Sequence, residues 1–529
     1  MISTLGVDLA ASPDRTWACT LEETEDGAIC ATLHARCDDD ELLARSVGRT
    51  RVGIDAPFGW PSAFVEALAA HQAGQPWPAL DDDDDPKRFR DQLRFRRTDR
   101  VAAHTRQPLS VSTDRLGVTA MRCAHLLRRL AGDGEPIDRT GADRVLEVYP
   151  AGAIRRWDLV RGAPRATTPA MRGQALDDIA AALPALRLSR EVRGECVAVD
   201  HAFDALVCSL VARAAALRLT DGPTARDKPL ARAEGWIHLP LRGSLPFLDR
   251  PRRTPTDASA RALAAALAKQ GAAVDEAGYV GSLSDALVAG LSTKALSAVC
   301  RDLAGKGGSE LVPRRGAQPK FHAAHSSAAL AASTFAPWLA AEEPLPLGEQ
   351  TFRGPAGLEV ECPTGLRGTP PTLDLLLDGP LVLAVESKCL EPFGAHEARF
   401  SDAYDRLVTE IAHRSWQDEH RRLIEDPRRY RHLDAAQLVK HYLGLKRRGR
   451  DRKTTLAHLY WEPSNADELL ECAIHRAELR EFEQQVADPA VQLLALPYPR
   501  LWRQWEHPRQ PRWLRLHAGR LRNRYDVEV

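Results

Sequence analysis

The chain carries no net charge: across 529 residues, 72 Lys and Arg balance 72 Asp and Glu. That excludes both nucleic-acid binding by bulk basicity and an acidic solvating protein. None of its ten cysteines (19, 30, 37, 123, 196, 208, 300, 362, 389 and 472) forms a C-x-x-C pair, so neither a structural zinc cluster nor a secreted disulfide scaffold is expected. No hydrophobic run is long enough for a bilayer, since the most apolar stretch, 202–219, is broken by Asp204 and Arg213. The opening MISTLGVDLAAS has no basic segment followed by an apolar one, which predicts no signal peptide and a reducing, cytoplasmic location. No G-x-x-x-x-G-K-[ST] loop, H-E-x-x-H pair, Rossmann glycine pattern or Ser-His-Asp arrangement stands out. His322, His325, His441 and His458 lack metal-ligand spacing and read as structural or surface residues.

What is present is ordinary globular composition, 44% hydrophobic and 27% charged, at a length that favours two or three domains. Strands are expected at 2–10, 15–21, 28–36, 51–61 and 144–150, with helices at 38–48 and 199–219. A polar insertion at 71–115 holds the run Asp81 to Asp85. Lys87, Arg88, Arg90, Arg94, Arg96, Arg97 and Arg100 follow it, and the segment reads as a loop or mobile arm. The stretch PLRGSLPFLDRPRRTPTD, 240–257, is Pro-rich and aperiodic, which places a linker at 244–257 between domains at 1–243 and 258–529. Helical patterns follow at 258–270, 283–304 and 326–340, then a strand pair at 372–388 and basic helices through 400–448.

Two apolar strands end in the same way, Gly6-Val7-Asp8 and Gly53-Ile54-Asp55. Aspartates at strand ends face the crevice where open α/β sheets bind ligands. Asp200 and Asp204, four apart, share one face of the later helix. An oxygen-only set of this kind suits Mg2+ or Mn2+. GVDLA, GIDAPFGWP, EVYPAGAIRRW, DHAFDALVCSLVARA and AEGWIHLP together resemble a bacterial domain family of unknown function predicted to be an RNase-H-like nuclease. The resemblance covers about residues 1–243. It implies metal-binding roles for Asp8, Asp55 and Asp204, with Asp200 as a substitute. It also implies a ligand or organising role for Glu147, and a polar motif at Arg97 and Asp99.

In the second half, TLDLLLDGPLVLAVESK at 372–388 is a hairpin turning at Asp378-Gly379-Pro380. Residues two apart on a strand share a face, so Glu386 and Lys388 point together and Asp374 can reach them across the hairpin. Asp-x11-Glu-x-Lys is the layout of the PD-(D/E)XK nuclease superfamily. Together with FHAAHSSAALAASTFAPW, PTGLRGTPPTLDLLLDG and DAAQLVKHYLGL, residues 305–529 resemble a restriction-endonuclease-like family within it. The resemblance implies an α/β/α fold, metal ligands at Asp374 and Glu386, and a water- or phosphate-directed Lys388. It further implies an active-site Gln437 and an acidic partner at Glu310, a place that Glu359 or Glu361 could take instead.

Between 399 and 453 there are 15 Arg or Lys against 9 Asp or Glu. From 496 onward eight Arg face three acids, with Trp502, Trp505 and Trp513 interleaved. Arg94, Arg97, Lys440, Lys446, Arg447 and Arg448 are the candidate phosphate contacts. The tryptophans read as core. The expectation is an RNase-H-like mixed-sheet domain followed by a restriction-endonuclease-like α/β/α domain. The activity expected is a metal-dependent endonuclease with two sites acting on nucleic acid, DNA before RNA, in defence against foreign DNA or in repair. The alternative makes the first domain a nucleic-acid or nucleotide sensing module with catalysis only in the second. A degenerate interaction protein is the third option.

Overall fold

The structure is a computed structural model and describes the chain except for residues 78–85, 104–107, 113, 133, 161–165, 251–254, 305–308, 314–317 and 449–451. Two compact units divide it, Met1–Arg252 and Arg253–Val529. In the first, the strands are β1 (Ser3–Asp8), β2 (Trp17–Glu23), β3 (Ile29–Ala35), β4 (Arg51–Asp55), β5 (Val145–Val148), β6 (Leu186–Arg187), β7 (Thr220–Asp221) and β8 (Ile237–Pro240). The helices are α1 (Asp39–Ser46), α2 (Ser62–Gln72), α3 (Pro86–Arg94), α4 (Arg97–Ala102), α5 (Asp114–Ala131), α6 (Pro150–Arg156), α7 (Pro169–Ala182), α8 (Arg190–Ala198), α9 (Asp200–Ala216) and α10 (Lys228–Glu234).

One eight-stranded sheet runs β6-β3-β2-β1-β4-β5-β8-β7. β1 to β3 are antiparallel, and β4, β5 and β8 join parallel beyond β1. This is the mixed sheet expected of an RNase-H-like domain. Strand alternation sends Leu5 and Val7 into a core with Leu42, Cys123 and Leu126. Gly6 and Asp8 therefore turn to the other face, where α9 lies. That helix is buried on nearly every side, as its unbroken apolar run requires. It can lie so close because the strands beneath it are bare. A Cβ on Gly6 would sit 2.1 Å from the Ser209 nitrogen and 2.3 Å from the Ala205 oxygen, and one on Gly53 would sit 2.8 Å from the Cys208 oxygen.

The second unit holds the strands β9 (Leu345–Leu347), β10 (Gln350–Phe352), β11 (Ala356–Glu361), β12 (Thr372–Asp378), β13 (Val382–Lys388), β14 (Thr454–Tyr460) and β15 (Val491–Pro497). Its helices are α11 (Pro255–Lys269), α12 (Leu283–Ala286), α13 (Thr293–Ala304), α14 (Ser327–Ala340), α15 (Ala403–Ile411), α16 (Arg414–Glu425), α17 (Ala435–Arg448), α18 (Leu470–Gln485), α19 (Tyr498–Trp505) and α20 (Arg512–Tyr525). A five-stranded sheet runs β11 to β15 in order, antiparallel through β13 and parallel beyond. Leu375, Leu377, Leu383 and Val385 face a core with α14, α19 and α20. Leu376, Val382, Ala384 and Leu456 face another with α16, α17 and α18. Helices on both faces make this unit α/β/α.

Several elements differ from expectation. The 71–115 insertion is not a plain loop: it forms α3 and α4 and buries Arg96, Thr98 and Asp99. Its Asp81 to Asp85 run lies outside the described residues. Residues 244–248, read as linker, are packed into the first unit, with Leu245, Phe247 and Leu248 buried and the Leu248 carbonyl held by Arg213 at 2.7 Å. Proline hides periodicity but not apolar side chains. The 283–304 pattern splits into α12 and α13. Trp502 and Trp505 are fully buried, so they are core.

Gly6→Ala should lower the free energy of unfolding by about 3 kcal/mol or more, because backbone on both sides blocks the new methyl. Gly173→Ala in α7, where a Cβ meets only Val197 at 4.0 Å, should instead stabilise by up to about 1 kcal/mol. Urea denaturation of both variants checks the pair, and equal effects would discard the close-approach argument.

Candidate metal centres

In the first unit, parallel pairing sets Asp8 directly beside Asp55. Because α9 rests on the two glycines, Asp204 comes down over the strand ends. One carboxylate oxygen from each of Asp8, Asp55 and Asp204 lies within 4.8 Å of the others, the only such trio of His, Cys, Asp or Glu among the described residues. Asp8 and Asp204 are buried and Asp55 is half-buried. The concentration of negative charge shows in the neighbouring Cys208, whose thiol is pushed well up by burial and then by Asp55, Asp8 and Asp204. Three crowded carboxylates with one oxygen each to share form a hard donor set that fits a divalent cation. Asp200 is exposed and caps the adjacent His201 nitrogen instead. His201, one turn before Asp204, places Nδ1 2.5 Å from Asp8 Oδ2, and that bond, partly offset by burial, raises the imidazole pKa.

Glu147 stands on β5, beside β4, but its partner is Arg96. The two carboxylate oxygens accept from the guanidinium at 2.7 and 2.9 Å, while Asp99 takes the rest of the fork at 2.8 and 3.1 Å. Glu147 Oε2 also accepts the Phe58 N–H at 3.0 Å, which fixes the loop just after Asp55. Burial raises the Glu147 pKa despite Arg96. Glu147 thus organises the strand end and is not part of the trio.

The second candidate centre, within the second unit, runs across β11, β12 and β13. The β11–β12 register puts Glu359 opposite Asp374, yet the ladder skips that pair, and the β12–β13 ladder stops at Leu375 and Val385, one step before Asp374 meets Glu386. Asp374 Oδ2 instead accepts the Ser387 N–H at 2.7 Å. Glu359 has φ +49°, a left-handed conformation that strains a residue with a Cβ. Three carboxylates therefore stand in a row where the backbone ladder opens. They line a cleft of about 520 Å³ with Glu310, Lys320, His325, Lys388 and Gln437.

Lys388 Nζ lies 2.6 Å from Glu386 Oε1 and donates to Gln437 Oε1 at 2.7 Å. Fully buried His441 brings Nε2 to 2.7 Å from Glu386 Oε2, without hydrogen-bond alignment. Burial alone would raise the Glu386 carboxyl, but Lys388 and His441 override it and hold the pKa at about 2. Burial works against the charge of Lys388, yet Glu386 and Glu391 outweigh it, so the lysine is a firm cation. Asp374 is pushed up by burial, then by Glu386 and Glu359. The helix α17 that carries Gln437 and His441 is set in place by Glu478, which accepts the N–H groups of Arg431, His432 and Leu433 at 2.8, 2.8 and 3.0 Å.

Glu310 reaches the cleft from a short 3-10 turn rather than from a helix. Glu361 is exposed and outside it. The sequence reading missed His201, Arg96, His441 and the special backbone of Glu359. Only the four-residue spacing of Gln437 and His441 on one helix signalled any of them. The basic candidates are engaged internally: Arg94 with Asp91, Arg97 with Asp227, Lys446 with Asp488 and Arg448 with Asp378. Lys440 lies 5.4 Å from the Phe400 ring, and Arg447 packs against Gly365. No helix among the described residues is long and apolar enough to cross a membrane.

Burial, Glu310 and Glu386 push the Glu359 carboxyl up to about 7 from its ordinary 4.5. Such a group supports the fold below the ordinary value, and that support is lost as pH rises through the folded value. Glu386 acts in a separate window, its support being lost only as pH falls toward about 2. Metal-free protein should therefore lose stability between about pH 4.5 and about pH 7, by up to about 3 kcal/mol. Glu359→Gln should match wild type in thermal melting at about pH 5 and exceed it at about pH 8; parallel melting curves would refute this.

Comparison with curated proteins and with solved structures gave no match. Family models do match, and they follow the two-part resemblance read from the sequence. Residues 6–225 match a family described as protein of unknown function (DUF429), and residues 271–526 match one described as Restriction Endonuclease associating with ARP.

Proposed function

We propose that the chain is a metal-dependent nuclease that hydrolyses phosphodiester bonds, with its principal site in the cleft of the second unit. The observation that carries this reading is the row Glu359, Asp374 and Glu386 meeting Lys388 and Gln437 in one cleft. Asp374 and Glu386, with Glu359 or Glu310, would hold Mg2+ or Mn2+. When bound, such an ion activates water and stabilises the leaving oxygen. The chain's own residues do the rest. Glu386 stays ionised between Lys388 and His441, ready to ligate. Lys388 remains charged, so it acts on the phosphate as a fixed cation rather than as a base in the metal-free state. Gln437 fixes the direction of its ammonium. Asp374, protonated easily when no cation is near, gives up that proton when one enters.

The trio Asp8, Asp55 and Asp204 is the second candidate site, with the same donor chemistry and the same choice of ions. A nucleic-acid substrate is supported by the restriction-endonuclease description of the family matched by the second unit, and within that class we propose DNA before RNA. Action against foreign DNA is the setting we propose.

Single- and double-stranded DNA and RNA, each with Mg2+, Mn2+ or EDTA, form the test panel. Cleavage should require the ion and should fall roughly a thousandfold with Glu386→Ala plus Lys388→Ala, the loss of several kcal/mol of transition-state stabilisation. If Asp8→Ala with Asp55→Ala leaves cleavage intact on every substrate, the first unit is a binding module. Cleavage that survives both pairs would overturn the whole reading.

A further inference from the structure

The turn between β1 and β2 carries Arg15, an exposed residue that no motif singled out. Its Nη2 lies 3.3 Å from His201 Nε2, and Nδ1 of the same ring lies 2.5 Å from Asp8 Oδ2. The ring turns Nδ1 to Asp8 and Nε2 to Arg15. One imidazole thus separates a guanidinium from the carboxylate trio. Among the described residues Arg15 makes no ion pair, although three aspartates stand just beyond the ring.

The turn that presents Arg15 is bolted down. Arg122 Nη1 donates to the Ala10 carbonyl and to Thr16 Oγ1, both at 2.7 Å. Thr16 Oγ1 donates to the Ser12 carbonyl at 3.1 Å, and the Thr16 N–H to Pro13 at 2.9 Å. The backbone of Arg15 is therefore set on both sides, while its side chain makes a single polar contact, to a ring nitrogen. An anionic oxygen is a far stronger partner for a guanidinium than a ring nitrogen, and a phosphate matches its fork.

Resting on the reading of the trio as a metal site, we propose that Arg15 is the substrate-contacting residue of the first unit. It binds a non-bridging oxygen of a nucleotide phosphate held at Asp8, Asp55 and Asp204. His201 is a positioning residue: one nitrogen holds Asp8, and the other parks Arg15 until the phosphate replaces it. Both His201 and Asp204 project from the same face of α9, one turn apart, so a single helix aligns carboxylate and guanidinium.

The test uses the full chain carrying Glu386→Ala, which silences the second unit's cleft. Calorimetry reads Mn2+ affinity, then the affinity of the Mn2+-loaded protein for thymidine monophosphate, which has no phosphodiester to cut. Arg15→Ala should leave Mn2+ binding within about twofold but weaken the nucleotide at least about tenfold, the size of one charge-assisted hydrogen bond. Arg15→Lys should restore part of it. His201→Ala should weaken Mn2+ itself by about tenfold, as loss of a partner to a ligating carboxylate does. Unchanged nucleotide affinity in Arg15→Ala overturns the proposal while the metal reading stands. Loss of Mn2+ binding in Arg15→Ala would make the residue merely structural and overturn it too. Equal affinity for inorganic phosphate would replace the nucleotide with the free ion and overturn the assignment. Absence of Mn2+ binding by the parent protein would overturn the metal reading and the proposal together.

Discussion

Carboxylates crowded together in low dielectric repel one another, and the architecture of both units answers that repulsion. In the first, three aspartates from two strands and a helix share one small volume, and even a neighbouring thiol registers their field. In the second, burial and mutual repulsion push Asp374 and Glu359 up while Lys388 and His441 hold Glu386 down. Such arrangements are unstable by themselves. They persist because the surrounding packing over-determines them, and a bound cation would relieve them.

The supporting frames use the opposite strategy, in which every buried charge is matched. Arg96 is shared fully between Glu147 and Asp99, and through Phe58 it fixes the loop that follows Asp55. Glu478 is satisfied by three consecutive backbone N–H groups, which sets the start of α17. Breaking either would leave an unpaired buried charge, at a cost of about 3–5 kcal/mol. Saturated networks are rigid, so the crowded carboxylates they position cannot relax apart.

Close approach is the other shared device. Gly6 and Gly53 let α9 settle onto the sheet, and the opened ladder at Glu359, Asp374 and Glu386 lets side chains replace backbone partners. Each is a local departure from regular packing, and each sits beside the carboxylates.

Strand ends at Asp8 and Asp55, the long buried helix bearing Asp204, and the hairpin holding Asp374, Glu386 and Lys388 were all legible in the sequence. Alternation and apolar runs encode them within a few residues. Gly6 and Gly53 were visible as a repeated pattern, though their use was not. What the sequence could not decide was which of Asp200 and Asp204 turns inward, because both lie on one helical face and only the seating of α9 separates them. Nor could it show that Arg96 rather than Arg97 is the buried arginine, that His441 abuts Glu386, or that the basic helices pair with acids such as Asp378 and Asp488. Those partners stand tens of residues apart. Local pattern determines which groups point toward a core or a crevice, but only the packing of distant segments determines which charges meet there.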